Sequence, residues 1–285
     1  MATGTPSVLT LRCADQPGIV AAVSALIARC GGNIANADQH TDRASSVFLQ
    51  RIEVDGPLDE DAFAGGLDEL VDRFGLDWAM HRPGTRARVA VACSGELYCA
   101  ADLLNRVELG ELDADVVALV SDKEVAAPLA ARHGVPFVHV GGGLEGHARA
   151  AQESAFASAL DELAPDLVVL ARYMRILPEE ITLAWAGRMI NIHHSFLPAF
   201  PGARPYHRAH QRGVKLIGAT AHYVTAELDA GPIIAQGVAA VTHRDEVEDL
   251  VRRGRDVERQ TLADAVRLHL EHRVLVWDNR TCVFA

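Results

Sequence analysis

The chain has 285 residues, 49% of them apolar and 23% charged, which is the composition of a folded globular protein of one large or two ordinary domains. Its net charge of −11 at pH 7 disfavours binding to the negatively charged backbone of a nucleic acid. No apolar run is long enough to span a membrane. The opening residues lack a signal-peptide pattern, so we expect a cytoplasmic protein. Five scattered cysteines with no C-x-x-C pair predict reduced thiols rather than a disulfide framework or a thiolate zinc site.

The first part of the chain has the pattern of a small sandwich of helices on a sheet. Strand-like alternation, a turn from Asp15 to Gly18 and a helical period are followed by two strands, a helix and a last strand. The predicted elements are strand 7–12, helix 19–30, strands 33–38 and 45–54, helix 58–74 and strand 76–81. This βαββαβ order predicts a ferredoxin-like fold. We expect one sheet face to be open, and the apolar segment 47–52 to form an exposed edge suited to pairing with another subunit.

A polar stretch with a proline and a glycine, Arg82 to Arg86, separates this unit from a different pattern. We therefore predict a first domain at 1–82, a linker at 83–87 and a second domain at 88–285. The second part alternates buried strands with helices; the strands are 88–93, 115–121, 136–141, 166–171 and 189–194, and the helices are 97–106, 124–133 and 148–163. This predicts a doubly wound, mostly parallel α/β sheet, whose ligands lie beyond the carboxyl ends of the strands. The tail, 246–273, predicts a helix with a solvated, charge-balanced face, and a strand or hairpin ends the chain.

Polar residues interrupt the apolar strand end at Asn191, His193 and His194. Period-two alternation places Asn191 and His193 on one face, and Asp229 lies in a turn that can fold back toward them. An amide that stabilises an oxyanion, an imidazole, and a carboxylate that orients the imidazole suit acyl-group chemistry. Because no activated serine or cysteine is apparent, water or an amine is the simpler nucleophile. Taken singly, each residue is more typical of a structural role than of catalysis: Asn191 as a turn or cap residue, His193 as a core histidine and Asp229 as a turn residue.

The string NIHHSFLPAFPGARPYHRA, which begins at Asn191, and the later GVKLIGATAHYVTAELDAGPIIAQ resemble the folate-dependent formyltransferase family. The resemblance implies that Asn191, His193 and Asp229 are the catalytic trio and that 10-formyltetrahydrofolate is the formyl donor. It extends through LARYMRIL, residues 170–177, and implies two walls of a folate pocket. The implied folate-binding residues are Met174, Arg175, Ile176 and Leu177 on one wall and His222, Val224, Thr225 and Ala226 on the other.

Several features narrow the resemblance to one branch of that family. His194 stands where the glycinamide ribonucleotide transformylases have proline, and the stretch Ser94 to Tyr98, with one glycine and the acidic Glu96, is a poor cradle for an acceptor's phosphate. The segments RRGRDVE and NRTCVF resemble the formyltetrahydrofolate deformylases, in which water replaces the amine. The resemblance implies formate release for one-carbon and purine metabolism, with no cofactor and no metal. It departs at Tyr98, where that family usually has histidine, because tyrosine cannot become a cation near neutral pH.

In the first domain, DQPGIV from residue 15 and GGNI from residue 31 resemble an ACT domain. The resemblance implies a regulatory domain that binds an amino acid, with glycine and methionine as first trials, and a homo-oligomer, either dimer or tetramer. The implied effector-binding residues are Asp15, Gly18, Ile19 and Asn33. Gly18 permits close backbone approach, and the amides of the helix N-terminus suit a carboxylate. In the alternative interpretation Asp15 only caps its helix and the domain only dimerises.

Two other functions remain open. One is formyl transfer to an unphosphorylated amine, and the other is a non-catalytic sensor of folate and amino acid. The joint presence of Asn191, His193 and Asp229 favours an enzyme, because a sensor needs no such trio. A metal site built from the histidines is not favoured, because the sequence has no H-E-x-x-H or comparable ligand spacing.

Overall fold

The computed structural model of the chain describes residues 6–142, 145–197 and 205–284. They form two compact units. The first comprises residues 6–85 with 271–275 and 282–284, and the second comprises the described residues from 86 to 270 with 276–281. Residues 198–204, within the string that begins at Asn191, lie outside the described residues. Across the described ranges, no helix is long and apolar enough to cross a membrane.

The first unit confirms the predicted βαββαβ order. Its elements are β1 (Ser7–Ala14), α1 (Ile19–Arg29), β2 (Asn33–Asp42), β3 (Val47–Asp55), α2 (Glu60–Phe74) and β4 (Asp77–His81). The strands form an antiparallel sheet in the order β2-β3-β1-β4, and both helices pack their apolar residues on one face of it. Local signals fix the ends of α2, since the Asp59 side chain accepts a hydrogen bond from Ala62 N at 3.1 Å and Gly75 adopts a left-handed conformation.

The apolar segment 47–52 is not an exposed edge, so that prediction was wrong. It forms most of β3, which lies between β2 and β1 in the sheet. The sheet face away from the helices is also covered there, because Leu49 is fully buried and Arg51 donates hydrogen bonds of 3.1 Å to the main-chain oxygens of Glu271 and His272. A strand that is buried on both faces can be apolar at successive positions, as this segment is from Val47 to Leu49.

The second unit confirms the doubly wound sheet. Its strands are β5 (Ala87–Cys93), β6 (Ala114–Ser121), β7 (Phe137–His139), β8 (Leu167–Leu170), β9 (Met189–His193), β10 (Leu216–Tyr223) and β11 (Ile233–Ala240). Its helices are α3 (Tyr98–Glu108), α4 (Ala127–Arg132), α5 (Gly146–Leu163), α6 (Glu179–Ala184), α7 (Pro205–Arg212) and α8 (Val247–Leu270). The chain ends with the hairpin β12 (Val274–Trp277) and β13 (Arg280–Val283).

The strand order β11-β10-β9-β8-β5-β6-β7 positions the site. The five strands from β9 to β7 in this order are parallel, whereas β10 runs antiparallel to both β9 and β11. The chain leaves β5 toward β6 on one side and returns as β8 on the other, and ligands of such sheets lie outside the carboxyl ends at this switch point. The carboxyl ends of β5, β8 and β9 are therefore neighbours there. The predicted helix 124–133 is instead a 3-10 turn followed by α4, which has a proline in its first turn.

Candidate active site

The pairing of β9 with β10 brings two polar side chains together at the edge of the parallel strands. Asn191 is the register partner of His222, so the two side chains lie on the same face of the sheet. Asn191 Nδ2 lies 3.4 Å from His222 Nε2. His222 Nδ1 lies 2.8 Å from the carbonyl oxygen of Tyr223, which can only accept, so Nδ1 carries a proton. In the neutral ring Nε2 is therefore the acceptor for the Asn191 amide.

The loop between β10 and β11 brings Asp229 to this pair. Asp229 Oδ2 lies 3.1 Å from His193 Nδ1, and Oδ1 lies 3.7 Å from His222 Nε2. The loop is tightly constrained, because Asp229 has a left-handed φ of 55° and a Cβ on Gly231 would lie 1.8 Å from the main-chain oxygen of Tyr223. The structure therefore brings together the three residues that the sequence pattern singled out, and it adds His222 between Asn191 and Asp229.

The charge of the cluster is concentrated on Asp229. Burial raises the pKa of Asp229, but His193 and His222 lower it more, by hydrogen bonding and by the positive charge that each ring carries when it is protonated, so its pKa lies well below the usual range. The carboxylate is therefore ionised at neutral pH. His193 Nε2 is buried and has no hydrogen-bond partner within the described ranges. A buried polar atom left unpaired costs about 1–3 kcal/mol, so this nitrogen is available to a ligand.

The wall predicted from LARYMRIL is the loop that follows β8. Met174 N donates to Ser94 Oγ at 3.0 Å, and the side chains of Met174 and Ile176 are exposed. Between them Arg175 is turned inward, where its Nε donates to Asp122 Oδ2 at 2.7 Å. Two exposed apolar side chains next to a fixed guanidinium can pack against a flat heterocycle and hydrogen-bond to its substituents.

The second predicted wall follows β10. Leu177 of the first wall and Val224 of the second both pack against the same hydrophobic cluster of the sheet, so the walls share one support. Thr225 is half-buried and Ala226 is exposed, and both lie in the loop that continues to Asp229. His222, which was also assigned to this wall, lies instead at the centre of the site, beside Asn191 and Asp229.

A second polar cluster, which sequence reasoning missed, lies next to this site. Arg172, two residues after the end of β8, donates to Glu96 Oε2 at 2.6 Å and has its Nε 3.5 Å from Glu258 Oε2. Tyr98 and Tyr206 donate to the two oxygens of Glu258 at 2.5 and 2.7 Å. The prediction of a solvated face for α8 was therefore wrong at Glu258, which is 1% exposed. We call Arg172, Glu96, Glu258, Tyr98 and Tyr206 the arginine cluster.

The arginine cluster also shows what Tyr98 does in place of the usual histidine. Its hydroxyl donates to Glu258 rather than to any of Asn191, His193 and Asp229. Burial and the Glu258 carboxylate raise the pKa of Tyr98, so the hydroxyl keeps its proton and stays a donor. Arg172, one of two arginines in the mostly apolar LARYMRIL, was the one sequence signal of this cluster. Nothing local marks Glu258.

The predicted effector residues all lie in the first unit. Asp15 donates its main-chain N–H to Ser46 O at 2.8 Å, and α1 begins after Gly18, whose φ is 96°, with no side-chain cap. The alternative in which Asp15 caps the helix is therefore wrong. The Ile19 side chain is buried in the core, so only its main chain can contact a ligand, and Asn33 is exposed at the start of β2.

Histidines and cysteines offer no further site in the described part of the chain. There, no group of three or more histidine, cysteine or acidic side chains could hold a metal ion. All five cysteines are free, and four of them are buried. Burial raises the pKa of the Cys93 thiol to about 12, so it is not a nucleophile at neutral pH.

Known proteins and family models match the sequences of both units. The chain matches two family models, ACT domain over residues 7–63 and Formyl transferase over residues 87–266. A formyltetrahydrofolate deformylase of Synechocystis sp. is 46% identical over 280 residues, which cover 97% of this chain and 98% of that relative. The crystal structure of a formyltetrahydrofolate deformylase from Pseudomonas syringae has a TM-score of 0.95 at 43% identity, and the match covers 100% of this chain and 96% of that one.

A transformylase shows the more distant relationship. The glycinamide ribonucleotide transformylase 1 of Symbiobacterium toebii has a TM-score of 0.65 at 34% identity, and the match covers 95% of that chain but 70% of this one. The deformylases match the first unit as well as the second. The chain belongs to the formyltetrahydrofolate deformylase family.

Proposed function

We propose that the chain hydrolyses 10-formyltetrahydrofolate to tetrahydrofolate and formate, the substrate and reaction class in the names of its relatives. The observation that carries this proposal is the position of Asp229, 3.1 Å from His193 Nδ1 and 3.7 Å from His222 Nε2, with the Asn191 amide beside His222. A carboxylate, two imidazoles and an amide at a strand end suit direct attack of water on a formyl group. The reaction needs no cofactor, because the folate is the substrate.

In this proposal Asn191 stabilises the oxyanion. Its amide has two N–H donors, and one of them faces His222 Nε2 at 3.4 Å. The other donor is available to the formyl oxygen as that oxygen gains negative charge. Loss of such a donor typically lowers the rate about a hundredfold to a thousandfold.

His193 carries the proton. The lowered pKa of Asp229 makes this carboxylate a poor proton acceptor, so its role is to orient His193 through Nδ1 and to stabilise the charged ring. His193 Nε2, buried and unpaired, takes a proton from the attacking water as its oxygen bonds to the formyl carbon. The same proton then passes to N10 as the C–N bond breaks, which leaves formic acid and tetrahydrofolate. The formic acid loses its proton to solvent.

The charge in the loop after β5 favours water over a phosphorylated amine as the acceptor of the formyl group. Glu96 in this loop pairs with Arg172 at 2.6 Å and with Arg255 at 3.0 Å. A carboxylate held at this place opposes a phosphate group, which backbone amides or free cations would attract. Transfer to an unphosphorylated amine is the alternative that the experiment must separate.

The test is formate release by the purified protein from 10-formyltetrahydrofolate without any amine. We expect formate and tetrahydrofolate in equal amounts in a single turnover, and Asn191→Ala should lower the rate at least about a hundredfold. Glycinamide ribonucleotide and glycinamide, added in separate arms, should capture no formyl group. A formylated product formed at a comparable rate would replace hydrolysis by transfer, and folate binding without turnover would indicate a sensor.

We also propose that the first unit, with residues 1–82 as its main part, is a regulatory domain that binds an amino acid and supports assembly into a dimer or tetramer. The match to the ACT family supports an amino-acid ligand, and the left-handed Gly18 at the start of α1 leaves the helix amides open to a carboxylate. Free thiols fit a reducing compartment, so we place the enzyme in the cytoplasm. Calorimetry with each of the twenty amino acids, together with the mass of the protein in solution, tests the ligand and the assembly.

A further inference from the structure

Arg172 adopts a backbone conformation that is disfavoured for residues other than glycine. Its φ is 65°, in the region where residues other than glycine are strained. Contacts on two sides hold it there, since Nη2 donates to Glu96 Oε2 at 2.6 Å and Nε lies 3.5 Å from the buried Glu258 carboxylate. Strain of this kind persists where surrounding groups over-determine the conformation, and it clusters at functional sites. The mechanism above does not use this arginine.

The third contact of Arg172 determines the state of His194. Arg172 Nη1 lies 2.6 Å from His194 Nδ1. Because a guanidinium can only donate, His194 Nδ1 is the acceptor and the ring carries its proton on Nε2. The His194 ring also packs against Tyr206 of α7, at 6.4 Å between ring centroids.

Burial and the adjacent Arg172 keep the His194 ring neutral. The charged or titratable groups that face it are Arg172, His193, Asp229, Glu96 and Tyr206. Burial, the charge of Arg172 and the proximity of His193 lower the pKa of His194 to about 4, against the smaller opposing effects of Asp229 and Glu96. His194 therefore adds no positive charge beside His193 at physiological pH.

The His194 ring also packs directly against the ring of His193. The two rings stack with centroids 5.1 Å apart and planes 25° apart. His193 is thus held on one side by the stacked ring and at Nδ1 by Asp229, 3.1 Å away. Two such contacts leave the ring little freedom, and a proton transfer needs this degree of orientation.

We propose that Arg172 is a positioning residue, which fixes His194 as the Nε2–H tautomer so that the stacked His194 ring holds His193 at the angle that its contact with Asp229 requires. This inference rests on the proposed function, because it assigns the proton transfer to His193. In this proposal the arginine cluster acts by orienting His193, and not by direct contact with the substrate.

The first test is chemical rescue of Arg172→Gly. Glycine suits the left-handed φ of this residue, so the substitution removes the side chain and relieves backbone strain. We expect kcat to fall at least about tenfold while KM changes little, and added guanidinium chloride to restore much of the loss. Urea at the same concentration, planar but neutral, should restore nothing, and the exposed control Arg149→Ala should respond to neither. A parental kcat in Arg172→Gly, or a loss that guanidinium does not reverse, overturns the proposal.

The second test does not depend on activity. Spectra of the parent protein with ¹⁵N-labelled histidine should show His194 as a neutral Nε2–H ring at every pH from about 5 to 8, and in Arg172→Gly this tautomer should be lost. His194→Phe, which keeps a stacked ring but offers Arg172 no acceptor, identifies the signal and should lower kcat without raising KM. A His194 ring that titrates in this range, or that carries its proton on Nδ1, overturns the inference. Absence of formate release with the expected spectra would instead refute the proposed function.

Discussion

Replacement of Asp229 by asparagine is the sharpest test of the proposed mechanism, because it keeps the size of the side chain and removes only its charge. In the structure this charge lies 3.1 Å from His193 Nδ1 and 3.7 Å from His222 Nε2. When His193 takes the proton of water, the parent protein supplies a counter-ion to the charged ring, and the variant does not. The introduced carboxamide can also present its NH₂ group to Nδ1–H, which turns the ring.

The magnitude follows from the lost hydrogen bond. A hydrogen bond to a charged group contributes about 1.5–3 kcal/mol, and about 1.4 kcal/mol corresponds to a tenfold change in rate. The His193 contact alone therefore predicts a loss of about ten- to 150-fold, and the misoriented amide moves the value toward the upper end. We expect Asp229→Asn and His193→Ala each to lower kcat at least about a hundredfold while folate binding persists.

The assay is the initial rate of formate release, with binding of the folate measured separately for each variant. The double variant should be about as slow as the slower single variant, because the two side chains act on one transition state. Since Asp229 has a pKa well below the usual range, protonation of this carboxylate should not limit the parental rate from about pH 5 upward. Near-normal turnover in either single variant, or losses that multiply in the double variant, would refute the mechanism.

Three further predictions concern Gly231, Gly18 of the first unit and the pH dependence of stability. Gly231→Ala should lower kcat at least about tenfold, because the new Cβ would clash with the main-chain oxygen of Tyr223 and displace Asp229. The control Gly65→Ala, whose Cβ would meet nothing within 4 Å, should keep parental kinetics. Gly18→Ala, strained by a φ of 96° but free of clashes, should weaken amino-acid binding in calorimetry and leave basal kcat unchanged; equal binding would remove Gly18 from the effector site. Folding lowers the pKa of Asp229, so its charge stabilises the fold above the ordinary pKa and this contribution is lost as pH falls through the lowered value. Asp229→Asn should therefore reduce Tm more at pH 7 than below about pH 3, and a pH-independent difference would contradict this.

Short-range periodicity predicted the part of the site that lies within one strand and one turn. Alternation along β9 placed Asn191 and His193 on one face, and the turn residues around Asp229 marked a loop tip. The role of His222 could not be predicted in the same way. It depends on the register of β10 against β9, which is set by pairing between residues that are distant in the sequence.

The arginine cluster shows a different limit of sequence reasoning. The charges of α8 balance along the helix, and this pattern is typical of a solvated face. Glu258 is nevertheless buried, because Tyr98, Tyr206 and Arg172 reach it from three distant segments of the chain. Burial of a charge is decided by partners that come together only in the folded state, and no local pattern reports them. The same holds for segment 47–52, whose interior position depends on the strand order.

The membership of residues 271–275 and 282–284 in the first unit has a consequence for synthesis on the ribosome. These residues are translated only after residues 86–270 of the second unit, so the first unit stays incomplete until then. Until then Arg51 lacks the Glu271 and His272 oxygens that it binds in the finished protein. A nascent chain therefore carries a nearly finished sheet with an uncovered face, which is a state prone to wrong association. A chain cut off before residue 271 would keep residues 86–270 of the second unit but leave Arg51 of the first unit without these two contacts.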